Sequence, residues 1–115
     1  MNLASEPFIL IKEGHKDIEM RLASKGRENI KSKDHILFTN PLGEEMMVEV
    51  ISVSSFPTFE ALYKHFDKTR LGYKPNEKAS PEDMLIYYKK EDIERFGVLA
   101  IEIKLANLQK ITLYL

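Results

Sequence analysis

Residues 17–22 (DIEMRL) alternate charged and apolar side chains, and this alternation constrains the fold more than any other feature of the sequence. Successive side chains of a β-strand point to opposite faces. The pattern therefore predicts a strand that packs its apolar residues against a core. Asp17, Glu19 and Arg21 then share the opposite face.

A corner precedes this predicted strand. Gly14 allows the backbone to turn sharply there, and Lys16 follows where a helix gives way to the strand. Across the corner, Lys16 and Glu19 are three residues apart and are expected to meet in one pocket. Arg21 carries a guanidinium fork that suits a carboxylate or a phosphate. The residues alone favour a simpler interpretation, a solvated face on which Glu19 pairs with Arg21 at little net energy.

Capping residues and hydrophobic periodicity predict the other elements. Thr58 is expected to cap an amphipathic helix, and Ser80 is expected to cap a second helix that begins at Pro81. The turn at 40–43 predicts a hairpin. In order, the predicted elements are a helix over 6–14, strands over 17–22, 35–39 and 46–54, helices from 59 and from 81, a helical turn over 90–95 and a strand over 98–105.

These elements predict one α+β domain over residues 1–115. Strands that are far apart in sequence must pair, because three short strands cannot bury a chain that is 43% hydrophobic. The expected architecture is a small, mostly antiparallel β-barrel with helices closing its ends. The segment 106–115 is expected to add a strand or to project outward. Its apolar end, ITLYL, also suggests a protein-interaction domain in which the tail adds to a sheet edge.

Composition excludes several classes of protein. The chain contains no cysteine, so disulfides and thiolate zinc sites are excluded. His15, His35 and His65 are isolated and lack the spacing of metal ligands, and no cofactor motif is present, so we expect neither a metal nor a cofactor. The absence of a bilayer-length apolar run and of a signal-peptide pattern predicts a cytoplasmic protein without a membrane partner. The oligomeric state does not follow from the sequence.

Charge favours a small ligand over a long nucleic acid. The net charge is −1, which lacks the bulk basic footprint of a nucleic-acid-binding protein. Residues 64–78 nevertheless contain five Lys or Arg and two Asp or Glu. In this basic loop Arg70, Tyr73 and Lys74 could hold a nucleotide, although a solvated loop is the simpler interpretation. Tyr87 and Tyr88 could stack on a base, unless one of them belongs to the core.

The sequence resembles the ASCH domain family over roughly residues 6–105. The resemblance is carried by the segments EPFILIKEGHKDIEMR, VEVISVSSFPTFEALYKHFDKTRLGY and PEDMLIYYKKEDIERFGVLAIEIKL. Gly14, Lys16, Glu19 and Arg21 match the pattern GxKxxExR. The resemblance implies a PUA-like β-barrel with a cleft at the helix–strand corner. It also implies a partner that is RNA or a modified nucleoside. The charged face of Lys16, Glu19 and Arg21 lies beside the basic loop, so we expect these three residues to bind the ligand, with Arg70, Tyr73 and Lys74 as possible lid contacts.

A bacterial branch of that family resembles this chain more distantly and implies an alternative. Its members hydrolyse the amide of N4-acetylcytidine with a lysine, a threonine three residues later and a glutamate near the start of the late helix. The lysine falls on Lys16, and the late acid falls on Glu82 or Asp83. The threonine position is Glu19, a departure that removes the hydroxyl nucleophile. Glu19 would then act as a general base on water or only as a partner of Lys16.

Overall fold

The fold is taken from a computed structural model, which describes residues 1–24, 26–27 and 29–106. Within these residues it is an α+β domain with four strands and four short helical segments. The strands are β1 (Ile18–Leu22), β2 (His35–Thr39), β3 (Glu45–Phe56) and β4 (Val98–Leu105). The α-helices are α1 (Ser5–Lys12), α2 (Phe59–His65) and α3 (Lys90–Phe96), and a 3-10 helix covers Pro81–Ile86.

The four strands form one antiparallel sheet in the order β1-β4-β3-β2. The predicted hairpin of β2 and β3 is confirmed, and β4 lies between β1 and β3 although it comes last in the chain. A register shift between Val50 and Ser52 marks a bulge in β3, and such bulges bend a strand. The sheet is accordingly curled into a half-barrel, and the predicted α+β class with a mostly antiparallel, curled sheet is confirmed. At the β2 edge of the sheet, the backbone of residues 1–3 forms hydrogen bonds with the backbone of Thr39.

The two faces of the sheet carry separate hydrophobic clusters. One cluster includes Phe8 and Ile11 of α1 and Phe38 of β2. The other joins the apolar side chains of β1 to Phe59 and Leu62 of α2. β1 is one edge of the sheet, so the elements that cover the two faces approach each other beyond it. This arrangement places a cleft along that edge.

Local backbone signals in the sequence are confirmed at several positions. The hydroxyl of Thr58 accepts a hydrogen bond of 3.2 Å from the amide of Ala61, which caps α2. Gly14 and Gly97 both have positive φ, where glycine avoids a steric cost. Lys33 also has a positive φ of 77°, which costs a lysine on the order of 1 kcal/mol.

The helix predicted from Ser80 differs in two respects. Pro81–Ile86 is a 3-10 helix, and the side chain of Ser80 makes no capping hydrogen bond. Apolar residues follow one another here instead of recurring every three or four positions, so Met84 is buried while Leu85 and Ile86 are exposed. A longer amphipathic α-helix would require that spacing.

The predicted extra strand or tail lies almost wholly outside the described residues, which end at Ala106. That residue donates its amide to the carbonyl of Met47 at 3.1 Å. Across the described part of the chain, none of the helices has the length and apolar character needed to cross a membrane.

Candidate functional site

Strand β1 is buried on both of its faces. All five of its residues are shielded from solvent, including Glu19, which is 4% exposed, and Arg21, which is 8% exposed. Lys16, at the corner before the strand, is also 8% exposed. The interpretation of a solvated charged face is therefore wrong. Burial of charged groups is costly unless they are paired, so the partners of these three side chains define the site.

Glu19 pairs most closely with Arg21. Its Oε2 accepts hydrogen bonds from Nε of Arg21 at 2.9 Å and from Nη2 at 2.7 Å. Its Oε1 accepts one longer bond, 3.3 Å, from the amide of Met20. The Nη2 group of Arg21 also donates to the carbonyl of Asn2 at 2.9 Å. The carboxylate thus holds the guanidinium in place across two positions of one strand.

Lys16 is held by a segment that lies more than fifty residues further along the chain. Its Nζ donates to the carbonyl of Leu71 at 2.9 Å and lies 3.7 Å from Oε1 of Glu19. Burial lowers the pKa of Lys16 below its ordinary value, and nearby Glu19 partly opposes this effect while Arg21 adds to it. The predicted meeting of Lys16 and Glu19 is observed as an ion pair without a direct hydrogen bond.

Gly72 lets the chain pass close to Lys16. It has a φ of +108°, and a Cβ built on it would lie 3.2 Å from Cδ of Lys16. A side chain here would press on the aliphatic stem of the lysine. The glycine therefore allows the carbonyl of Leu71 to reach the ammonium.

These three charged residues line a cleft of about 320 Å³ along the edge of β1. One wall comes from the N-terminal residues and α1, including Leu3, Pro7 and Leu10. The opposite wall comes from α2, the loop before the 3-10 helix, the helix itself and the two residues that follow it. Its aromatic members are Tyr63, Tyr73, Tyr87 and Tyr88.

A hydrogen-bonded tyrosine pair holds the aromatic wall together. The hydroxyls of Tyr63 and Tyr73 are 2.9 Å apart. Tyr73 also lies within hydrogen-bond distance of Oδ2 of Asp83, at 2.7 Å, and of the carbonyl of Ser80, at 3.2 Å. Burial, followed by the hydrogen bonds to Tyr63 and Asp83, raises the pKa of Tyr73 strongly. Burial also raises the pKa of Tyr63.

The remaining residues singled out by sequence take other positions. Asp83 lines the cleft, whereas Glu82 is exposed and is not among the lining residues. Arg70 forms ion pairs with Asp17, at 3.0 Å, and with Glu102, and its guanidinium lies 5.5 Å from the ring centre of Phe66. These contacts turn Arg70 away from the cleft. With Lys74, it lines a neighbouring groove instead.

Several residues that build the cleft could not be predicted from the sequence. The carbonyl of Leu71 and the N-terminal residues Asn2 and Leu3 carry no side-chain signal that could have indicated a site. Tyr63 packs against the apolar cluster with the rest of the buried face of α2, and it also lines the cleft. Tyr88 packs on Phe59 with ring centres 6.1 Å apart, so the expectation that one of the two neighbouring tyrosines is a core residue fits its position.

Among the described residues, no three His, Asp or Glu side chains are grouped so that they could hold a metal ion. The cleft is lined by cationic side chains, carboxylates and aromatic rings. Together, the fold and the site define a small α+β domain in which a curled antiparallel sheet carries a charged cleft at its edge.

The chain belongs to the ASCH domain family, whose sequence pattern it matches over residues 1–107. Members of this family are generally considered to resemble RNA-binding proteins. Among solved structures, the chain is similar to the crystal structure of the hypothetical protein PH0355 of Pyrococcus, with a TM-score of 0.77 and 29% identity, over 92% of this chain and 96% of that one. It is also similar to the solution NMR structure of PF0455 from Pyrococcus furiosus, with a TM-score of 0.66 and 26% identity, over 93% and 99% of the two chains. No curated protein shows significant sequence similarity to it.

Proposed function

We propose that the protein binds a nucleoside-like ligand, either free or as one unpaired base of an RNA strand, in the cleft at the edge of β1. The observation that carries this proposal is the buried group of Lys16, Glu19 and Arg21 at a cleft of about 320 Å³ with tyrosines on its wall. Small-molecule sites combine such volumes with a few convergent polar groups. Unstacked bases are bound by aromatic stacking and by hydrogen bonds to their edges.

The cleft offers both donors and an acceptor to a base edge. Within the described residues, Nη1 of Arg21 makes no hydrogen bond, and no fully buried polar side-chain atom lacks a partner. Nη1 therefore keeps some solvent-accessible surface, and Arg21 is one of the residues that line the cleft. The ammonium of Lys16 has three N–H donors, of which Leu71 accepts one. Oε1 of Glu19 accepts a single long hydrogen bond and can take another from an amine such as N4 of cytosine.

Tyr87 supports a ligand with a flat ring. The residue is 59% exposed and lines the cleft, with its ring centre 6.5 Å from that of Tyr88, so a flat ligand can stack on its exposed ring. Base–aromatic stacking contributes about 1–3 kcal/mol per base. A purely aliphatic or carbohydrate ligand would gain less from such a wall.

Titration calorimetry with the four ribonucleosides, N4-acetylcytidine and short RNAs at low salt tests this proposal. The wild type is expected to bind at least one of them. Lys16→Met, which keeps the length of the side chain and removes its charge, should weaken that binding by about tenfold or more. Lys64→Met changes an exposed lysine outside the cleft lining and serves as the matched control. Absence of any binding, or binding equal in wild type and Lys16→Met, contradicts the proposal.

Hydrolysis of an acylated pyrimidine nucleoside is a second proposal, and the lowered pKa of Lys16 favours it. A lysine that loses its proton more readily than an exposed lysine is better suited to acid–base chemistry. Asp83 lies at the same cleft and would supply the acid that the family pattern places near residues 82 and 83. Against a role for Glu19 as general base, its Oε2 already accepts two hydrogen bonds from Arg21.

Incubation of N4-acetylcytidine with the wild type, Lys16→Met and Asp83→Asn separates the two proposals. In the hydrolytic reaction water adds to the acetyl carbon, the C–N bond breaks, and cytidine and acetate are released. Chromatography should show release by the wild type and a loss of about 100-fold or more in both variants. Binding without release of cytidine would leave binding as the function and reject hydrolysis.

A further inference from the structure

We infer that the groove next to the cleft binds a phosphate carried by the same ligand, so that the full ligand is a nucleotide, either free or within an RNA strand. This inference rests on the proposed function and makes it more specific. The groove has a volume of about 520 Å³ and lies between the corner at 14–17 and the loop at 69–75.

The groove and the cleft share one thin wall. Four residues line both of them: Leu10, Lys16, Gly72 and Tyr73. At its centre the backbone of Gly72 lies against the stem of Lys16, with only 3.2 Å between Cδ of the lysine and a Cβ built on the glycine. The two compartments are therefore adjacent, and a ligand that extends past Tyr73 could contact both of them.

The two compartments differ in charge. The cleft is lined by two basic side chains, Lys16 and Arg21, and by four acidic ones, which are Glu6, Glu19, Glu77 and Asp83. Such a lining repels a phosphate. The groove is lined by Lys16, Arg70 and Lys74, and among the described residues Asp17 is the single acidic one in its lining. Charge complementarity thus assigns the base to the cleft and the phosphate to the groove.

Lys74 is the cation in the groove that is ready to bind an anion. Arg70 is already paired with Asp17, at 3.0 and 3.3 Å, and with Glu102. The ammonium of Lys74 is exposed, and over the described ranges it makes neither a hydrogen bond nor an ion pair. His15, whose side chain is 65% exposed, lies in the same lining. A phosphate there would gain a charge-assisted hydrogen bond without displacing an existing partner of the lysine.

Calorimetric titration of each ribonucleoside against its 5′- and 3′-monophosphates and a trinucleotide tests this inference. In the wild type, one of the monophosphates should bind about tenfold more tightly than its nucleoside. Lys74→Ala should remove that advantage and leave the affinity for the nucleoside unchanged, because Lys74 does not line the cleft. Lys64→Ala, at an exposed position outside both linings, should alter neither affinity.

The salt dependence gives an independent readout. In Lys74→Ala, the loss of one phosphate contact should reduce the slope of log Kd for the trinucleotide against log salt concentration by about 0.7. A trinucleotide that binds more tightly than any monophosphate indicates an RNA strand, and equal affinities indicate a free nucleotide.

Each negative outcome has its own meaning. Equal binding of nucleoside and monophosphate, or an advantage that survives Lys74→Ala, overturns the phosphate groove and leaves nucleoside binding intact. If neither nucleosides nor nucleotides bind, both the proposed function and this inference fail.

Discussion

Glu19 and Arg21, two positions apart on β1, form a buried ion pair in which a single carboxylate oxygen accepts both guanidinium hydrogen bonds, at 2.7 and 2.9 Å. Lys16 lies 3.7 Å from the other oxygen and donates elsewhere. Glu19 therefore interacts more closely with Arg21 than with Lys16. Because two cations share one carboxylate, removal of that carboxylate has the largest expected effect on the site.

Glu19→Gln should lower the free energy of unfolding by about 3 kcal/mol, since it leaves two buried cations without a counter-charge. Urea denaturation followed by circular dichroism measures this change. Glu45→Gln, at an exposed position of β3, should change stability by less than about 0.5 kcal/mol. A loss below about 1 kcal/mol for Glu19→Gln would mean that Arg21 and Lys16 are solvated in solution.

Lys16 should make stability rise with pH in the alkaline range. Its pKa in the fold lies below the ordinary 10.5, so the folded protein releases this proton before the unfolded chain does. The unfolded state then binds more protons, and the unfolding free energy increases as pH rises from the folded pKa towards 10.5.

Unfolding free energies of the wild type and Lys16→Met between about pH 7 and pH 10 measure this contribution. The wild type should gain stability relative to the variant as pH rises. The raised pKa values of Tyr63, Tyr73 and Tyr88 oppose this trend at the upper end of the range, but they are common to both proteins and cancel in the difference. If the difference in unfolding free energy between the wild type and Lys16→Met does not change with pH, the pKa of Lys16 is not lowered.

Gly72→Ala should destabilise the protein more than Gly43→Ala does. Both glycines have positive φ, +108° and +83°, so both substitutions carry a backbone cost of about 1–2 kcal/mol. A Cβ on Gly43 would meet nothing within 4 Å, whereas one on Gly72 would press on Lys16. The added cost at Gly72 is about 1 kcal/mol. Thermal and urea unfolding compare the variants, and equal losses would argue against a tight contact with Lys16.

Tyr73→Phe should lower the unfolding free energy by about 1–2 kcal/mol, because it removes the hydroxyl that links Tyr63 to Asp83. Tyr87→Phe is the matched control, since the hydroxyl of Tyr87 makes no hydrogen bond within the part of the chain that the structure describes and its ring is exposed. Loss of stability should be accompanied by weaker ligand binding in Tyr73→Phe alone. Similar stabilities of the two variants would show that the tyrosine pair contributes little.

The sequence predicted the local elements well, because their signals are local. The strands at His35–Thr39 and Val98–Leu105 have the predicted bounds, and Thr58 caps its helix as expected. Alternating patterns, capping side chains and glycines act within a few residues of each other. The 3-10 helix at Pro81–Ile86 was predicted less well, because its consecutive apolar residues do not specify a helical face.

By itself, the sequence determined that a strand follows the corner at Gly14, with Asp17, Glu19 and Arg21 at alternate positions, and it indicated that Lys16 and Glu19 could meet. Only the tertiary structure decided that Glu19 and Arg21 are buried and that Asp17 is not part of their site, because it pairs with Arg70. It also decided that Lys16 binds the carbonyl of Leu71, 55 positions further along the chain. The physical reason is that the burial of a charged side chain depends on which distant segments cover it, and a strand's own alternation is the same whether its polar face meets water or a cleft.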